Sequence, residues 1–147
     1  MSAVRDGLSH DASGPALAHG YFGIDVPFMA HIGLEPVSLA PGLARTRLPM
    51  RSELANSRGH GHGGALMSAL DFTLSAAARS SNPLGLGVVT IEMSTHFLAS
   101  ATTDLLIEAR VLRGGARTVF CEGDVLDSAG RAVCTARAVF KLIALDT

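Results

Sequence analysis

The chain has 147 residues, with 12 basic and 13 acidic side chains and a formal net charge of −1. That balance offers no basic field to draw in nucleic acid and no polybasic run to hold an anionic membrane. Two cysteines are too few for a disulfide scaffold. The length fits one domain.

Residues 1 to 20 are small, polar and punctuated by Gly and Pro, and read as a loose tail ahead of a single domain over 21–147. The opening stretch lacks the continuous apolar core of a signal peptide. No apolar run reaches the ~18 residues of a membrane span. A soluble, cytoplasmic protein is therefore expected.

Tyr21 to Ile32 reads as a short helix ended by Gly33, with Phe22, Val26, Met29 and Ala30 on one side. Leu34 to Leu39 and Leu43 to Met50 follow as strands joined by a Pro41-Gly42 turn. A polar loop, Arg51 to Gly61, leads into a predicted helix over His62 to Ser80, rich in Ala and Leu and free of Pro. Its apolar residues go nearly all the way round, which predicts a helix surrounded by protein. The remainder alternates as strands over Val88 to Leu98, Leu105 to Arg113, Thr118 to Leu126 and Ala132 to Ile143. Gly114-Gly115 and Asp127-Ser128-Ala129-Gly130 supply the hairpin turns. Cys121 and Cys134 fall on apolar strand faces and read as small core residues. Short hairpins imply an antiparallel sheet, and curling that sheet around the apolar helix is the simplest way to bury it. The class is α+β.

Asp71 stands out in that helix. It is the one carboxylate between Gly61 and Ala78, and its neighbours one turn away are Met67, Ser68, Leu74 and Ser75. Asp is rarely buried without a partner and is a poor helix-interior residue. It either pairs with a strand arginine or a backbone amide, or is held for chemistry. Just upstream, Asn56-Ser57-Arg58-Gly59-His60-Gly61-His62-Gly63-Gly64 runs a glycine-rich turn into the helix. Such a start presents free N–H groups at the positive end of the helix dipole, and Gly63 and Gly64 let a ligand approach the backbone closely. The geometry suits an oxyanion. His60 and His62 alternate in a glycine loop with no second His/Cys cluster, which is not a metal-site spacing.

The run Asn56-x-x-Gly59-x-x-His62-Gly63-Gly64, with Asp71 nine residues after His62, resembles the hotdog-fold thioesterases of the phenylacetate-degradation (PaaI-like) type. Phe28 to Gly33, Val89 to Leu98, and Gly115 to Cys134 are similar to other parts of that family. The resemblance implies an antiparallel sheet wrapped around a long central helix, and hydrolysis of an acyl-CoA thioester. By it, Asp71 would activate water or attack the thioester carbon, and the Gly63 amide would polarise the carbonyl. His62 and Asn56 would position thioester and water, and Thr90 would supply a hydroxyl near the attacking water. The sequence departs from the family pattern at His60-Gly61 and at Ala99-Ser100-Ala101.

Gly63 and Asp71 lie eight positions apart. On one helix that is about 12 Å, at ~1.5 Å rise per residue. Groups serving one carbonyl must each lie ~3 Å from the reacting atoms. Either only one of them acts, or the site combines two subunits. Shared sites in a homodimer, with further pairing into a tetramer, are the expectation, and the resemblance implies the same. Arg58, Arg113 and Arg117 are candidates for the CoA phosphates, with Gly64 beside the substrate. Phe72, Ala76, Met93 and Phe97 are candidates for an acyl pocket admitting aryl or medium-chain groups. No metal or cofactor is expected beyond the coenzyme A that the substrate carries. Competing readings are a non-catalytic acyl-CoA-binding module and a hotdog hydroxyacyl-CoA dehydratase.

Overall fold

The computed structural model describes residues 15–145, so residues 1–14 of the expected tail lie outside the described residues. A helical turn, α1 (Pro15–Ala18), and a short helix, α2 (Pro27–Ile32), precede strands β1 (Glu35–Ala40) and β2 (Leu43–Leu48). A 3-10 turn (Ser52–Leu54) leads to the long helix α3 (Gly63–Ala78). Strands β3 (Leu86–Phe97), β4 (Leu105–Gly114), β5 (Thr118–Leu126) and β6 (Ala132–Ala144) complete the chain. All six strands form one antiparallel sheet in the order β1-β2-β4-β5-β6-β3. The sheet curls around α3 in the hotdog arrangement that the resemblance implies, and β3 lies at its far edge, next to β6 alone.

Two expectations need correction. The first helix does not begin at Tyr21. Tyr21 and Ile24 close a tight turn with an isolated bridge, Phe22 sits at φ 54°, and Pro27 opens α2. Proline lacks the N–H that a first helical turn leaves unused, so here it starts a helix instead of weakening one. Second, α3 is not enclosed on every side. Leu66, Ala69, Leu70, Leu74 and Ala77 are buried, whereas Gly64, Met67, Ser68, Asp71 and Ser75 form a less buried stripe. The curled sheet covers only part of the helix circumference.

Inward-facing strand residues build the core: Ala44 and Leu48 on β2, Ile107 on β4, Val125 on β5 and Phe140 on β6 are essentially inaccessible. Gly123 on β5 marks the closest approach of sheet and helix. A Cβ there would lie 2.8 Å from the Glu108 carbonyl oxygen and 3.1 Å from Leu74 Cδ2, so only glycine lets the helix seat. The outer face is charged. Arg45 pairs with Glu108 at 2.7 Å, and Arg110 and Arg137 both reach Glu122. Such partly exposed surface pairs contribute about 0–1 kcal/mol each.

A side-chain hydrogen bond crosses the core between β2 and α3. Thr46 on β2 and Thr73 on α3 are both fully buried, with their hydroxyl oxygens 2.7 Å apart. Thr73 Oγ1 donates its proton to the Ala69 carbonyl at 2.7 Å, so Thr46 is the donor between the two. This makes the pair unequal. Thr73→Val strands the Thr46 donor in the core and is expected to cost about 1–3 kcal/mol. Thr46→Val leaves Thr73 bonded to Ala69 and costs less. Chemical denaturation of the two variants checks the order, and an equal or reversed loss would contradict it.

Candidate active site

The loop before α3 is tied down at every turn. The Asn56 side-chain oxygen accepts the amides of Arg58 at 2.9 Å and His60 at 3.1 Å, and the Asn56 amide donates to the His60 carbonyl at 2.6 Å. Gly59 takes φ +76°, a left-handed turn that glycine adopts without strain. The Gly61 and His62 amides bond the carbonyls of Ala101 and Leu54. Asn56 therefore holds the loop through its oxygen.

His62 caps α3. Its Nδ1 accepts the Gly64 amide at 2.8 Å, and its carbonyl accepts those of Ala65 and Leu66. The Gly63 amide has no acceptor among the described residues. It is a free donor at the positive end of a 16-residue helix. Gly63 borders a cavity of about 370 Å³ with Asn56, Arg58, His60, Leu66 and Phe97. His60-Gly61 and Ala99-Ser100-Ala101, where the sequence leaves the family pattern, line this same cavity. A Cβ on Gly63 would stand 3.2 Å from the Phe97 ring.

Asp71 is half-buried two turns further along. No cation pairs with it among the described residues, so the strand-arginine reading does not hold. Its Oδ1 accepts a hydrogen bond from Thr90 Oγ1 at 2.7 Å. The β3 register shifts between Thr90 and Glu92, a bulge of the kind that re-aims a side chain. Asp71 borders a second cavity, about 380 Å³, with Phe72 and Ser75 from α3, Phe28 and Met29 from α2, and Val88 from β3.

Within one chain, then, the structure brings Asp71, Thr90 and Phe72 together, and brings Gly63, Asn56, Arg58 and Phe97 together. The two groups do not meet. The expected acyl pocket is corrected accordingly: Phe72 and Phe97 line different cavities, Ala76 is fully buried core, and Met93 packs against that core. Gly64 is exposed at the helix start. Arg113 and Arg117 are exposed at the β4–β5 hairpin, at the end of the sheet where β3 begins. Arg58 lies at the opposite end of α3. The sequence reading missed Ser75 and the α2 residues. Ser75, one turn beyond Asp71, was findable from helical spacing; α2 was not, because nothing local says where it docks.

Comparison with known proteins gives the fold and the family. Residues 58–134, just over half of the chain, match the family described as the thioesterase superfamily. A Saccharolobus solfataricus protein whose name carries an esterase designation is 31% identical over 101 residues, 68% of this chain and 71% of that protein. Among solved structures, a conserved protein from Pseudomonas aeruginosa is 33% identical with a TM-score of 0.77, over 80% of this chain and 94% of that one. The E. coli PaaI protein from the phenylacetic acid degradation operon is similar in fold. Its TM-score is 0.79 at 23% identity, over 93% of this chain and 96% of that one.

The cysteines stand apart from both cavities. Burial pushes the Cys121 thiol up to about 12 and the Cys134 thiol up to about 11. Only the thiolate reacts, and a thiol whose folded pKa is raised stays protonated until the pH climbs past it. A maleimide at neutral pH is therefore expected to label no thiol in the folded protein and both in denaturant. Mass spectrometry of the two samples checks this, and rapid labelling of the folded protein would contradict it.

Proposed function

The chain belongs to the thioesterase superfamily, and on that footing we propose that it hydrolyses acyl-CoA thioesters at sites shared between two copies of the chain. The observation that carries this reading is the separation of the two chemical groups on α3. The free Gly63 amide and the Asp71 carboxylate border different cavities, about 12 Å apart along the helix at ~1.5 Å per residue. A second copy resolves the separation. Strand β3 runs for 12 residues with an unpaired edge, and carries Ile91 at 59% and Phe97 at 52% exposure. A long apolar edge is a template for pairing. Two-fold pairing of this edge with itself sets the two helices antiparallel. The helix start of one subunit then comes alongside Asp71 of the other.

In the shared site the Gly63 amide of one copy donates a hydrogen bond to the thioester oxygen as charge develops on it. Asp71 of the other takes a proton from water as its oxygen attacks the carbonyl carbon, or attacks that carbon itself to give an anhydride that water opens. Collapse of the tetrahedral adduct expels the CoA thiolate, which needs no acid because thiolate is a fair leaving group. Thr90 fixes the carboxylate rotamer, and His62 and Asn56 hold the loop that aims the amide. The acyl group, aryl or medium-chain, occupies the cavity beside Asp71 and Phe72. The CoA arm leaves past Phe97, Gly64 and Arg58, with Arg113 and Arg117 of the other, antiparallel copy available to its phosphates. No cofactor beyond CoA enters the scheme. A cytoplasmic protein meeting cytoplasmic acyl-CoA, as a dimer or a dimer of dimers, fits it.

Thiol release from a panel of aryl- and acyl-CoAs tests the proposal. Asp71→Ala is expected to lose ~10²-fold or more in kcat, as loss of a proton-transfer group does. Gly63→Ala, whose methyl meets the Phe97 ring, is expected to lose on the order of 10²-fold, as a displaced oxyanion donor does. Full activity in a folded Asp71→Ala protein would overturn the assignment. Light scattering is expected to give a dimer or tetramer, and an active monomer would overturn the shared site.

A further inference from the structure

Arg79 caps the C-terminal end of α3 and is 3% exposed. Arginine is almost never so buried without a partner of opposite charge, and among the described residues no carboxylate pairs with it. Its Nη1 and Nη2 donate to the carbonyls of Tyr21, Phe22 and Pro83. Among the described residues its Nε–H makes no hydrogen bond, and that atom is not fully buried. The carbonyls and the helix C-terminus offer partial charges that favour a cation, but none supplies a counter-ion. Burial accordingly lowers the pKa of the guanidinium from its ordinary value.

The same side chain borders the cavity that holds Asp71. Asp71, Ser75 and Arg79 follow at steps of four on one face of α3, at ~1.5 Å rise per residue about 12 Å from first to last. They form a polar line along a largely apolar wall that includes Val26, Phe28, Met29, Phe72, Leu86 and Val88. An acyl group reacting at Asp71 would extend its tail along this line.

Resting on the thioesterase reading, we propose that Arg79 is a specificity-determining residue of the acyl cavity and selects acyl groups whose far end carries a carboxylate. Such a tail supplies the counter-ion that the described residues leave out and an acceptor for Nε–H, while its methylene segment packs on the apolar wall. An apolar tail of equal length leaves the guanidinium without a counter-ion.

The test is binding of two non-hydrolysable thioethers, S-hexyl-CoA and S-(carboxypentyl)-CoA, by calorimetry on the intact protein. Wild type is expected to bind the carboxylate-ended analogue about tenfold tighter, the scale of a hydrogen bond to a charged group. Arg79→Met, of similar length and without donors, is expected to bring the ratio of the two affinities to about one. Equal affinities in wild type, or a preference for S-hexyl-CoA, overturn the proposal, and this comparison stands even where the variant does not fold. A variant that weakens both analogues in parallel and keeps the wild-type ratio makes Arg79 purely structural, and so also overturns it. Turnover of hexanoyl-CoA and adipoyl-CoA is followed in parallel. A carboxylate preference in binding without thiol release supports the role of Arg79 and removes the hydrolase reading. Thiol release with equal affinities does the reverse.

Discussion

A helix rises ~1.5 Å per residue, and this spacing along α3 governs the protein more than any single contact. The helix offers a free backbone amide at its first residue, a carboxylate two turns in and a buried cation just past its end. No bending of one 16-residue helix brings the first two to a common atom. The fold around it is arranged accordingly. The sheet leaves one stripe of α3 open, and it ends on a long strand whose edge has no partner. An open stripe and an open edge side by side are costly for a lone chain, and the second copy proposed above would close both.

Three polar groups on this apolar helix and its cap are answered by other elements, so the helix is fixed in rotation as well as in position. Thr73 is met by Thr46 from β2, Asp71 by Thr90 from the β3 bulge, and Arg79 by the carbonyls of the segment before α2 and of the loop after α3. A rotation of α3 large enough to turn Asp71 away from Thr90 would also break the buried Thr46–Thr73 bond. The core geometry thus pins the orientation of the carboxylate, which is what a site assembled from two chains requires.

Much of this was legible in the sequence. The apolar helix, the strands on either side of it, the odd carboxylate Asp71 and the glycine start at Gly63 all follow from period and residue type, and Thr90, which the resemblance singled out, bonds Asp71. Helix boundaries at His62 and Arg79 were legible to within a residue or two because capping chemistry is local. The first helix was misread because Pro27 has two local meanings, and only the Tyr21–Ile24 turn decides between them. The division into two cavities was half legible. The rise per residue separates Gly63 from Asp71, but nothing local places Phe72 in one cavity and Phe97 in the other. Arg79 was not legible at all. Its interest lies in burial without a counter-ion among the described residues, and burial is a property of the folded chain.

Mixed dimers test the shared site most directly. Asp71→Ala and Gly63→Ala chains carrying different tags are co-expressed, and the heterodimer is purified through both tags. If each site takes its amide from one copy and its carboxylate from the other, one site of the heterodimer carries both lesions and the other carries neither. The heterodimer should then recover about half of the wild-type thiol-release rate, far above either parent variant. A heterodimer no more active than its parents would mean that the two groups act within one chain, contradicting the account.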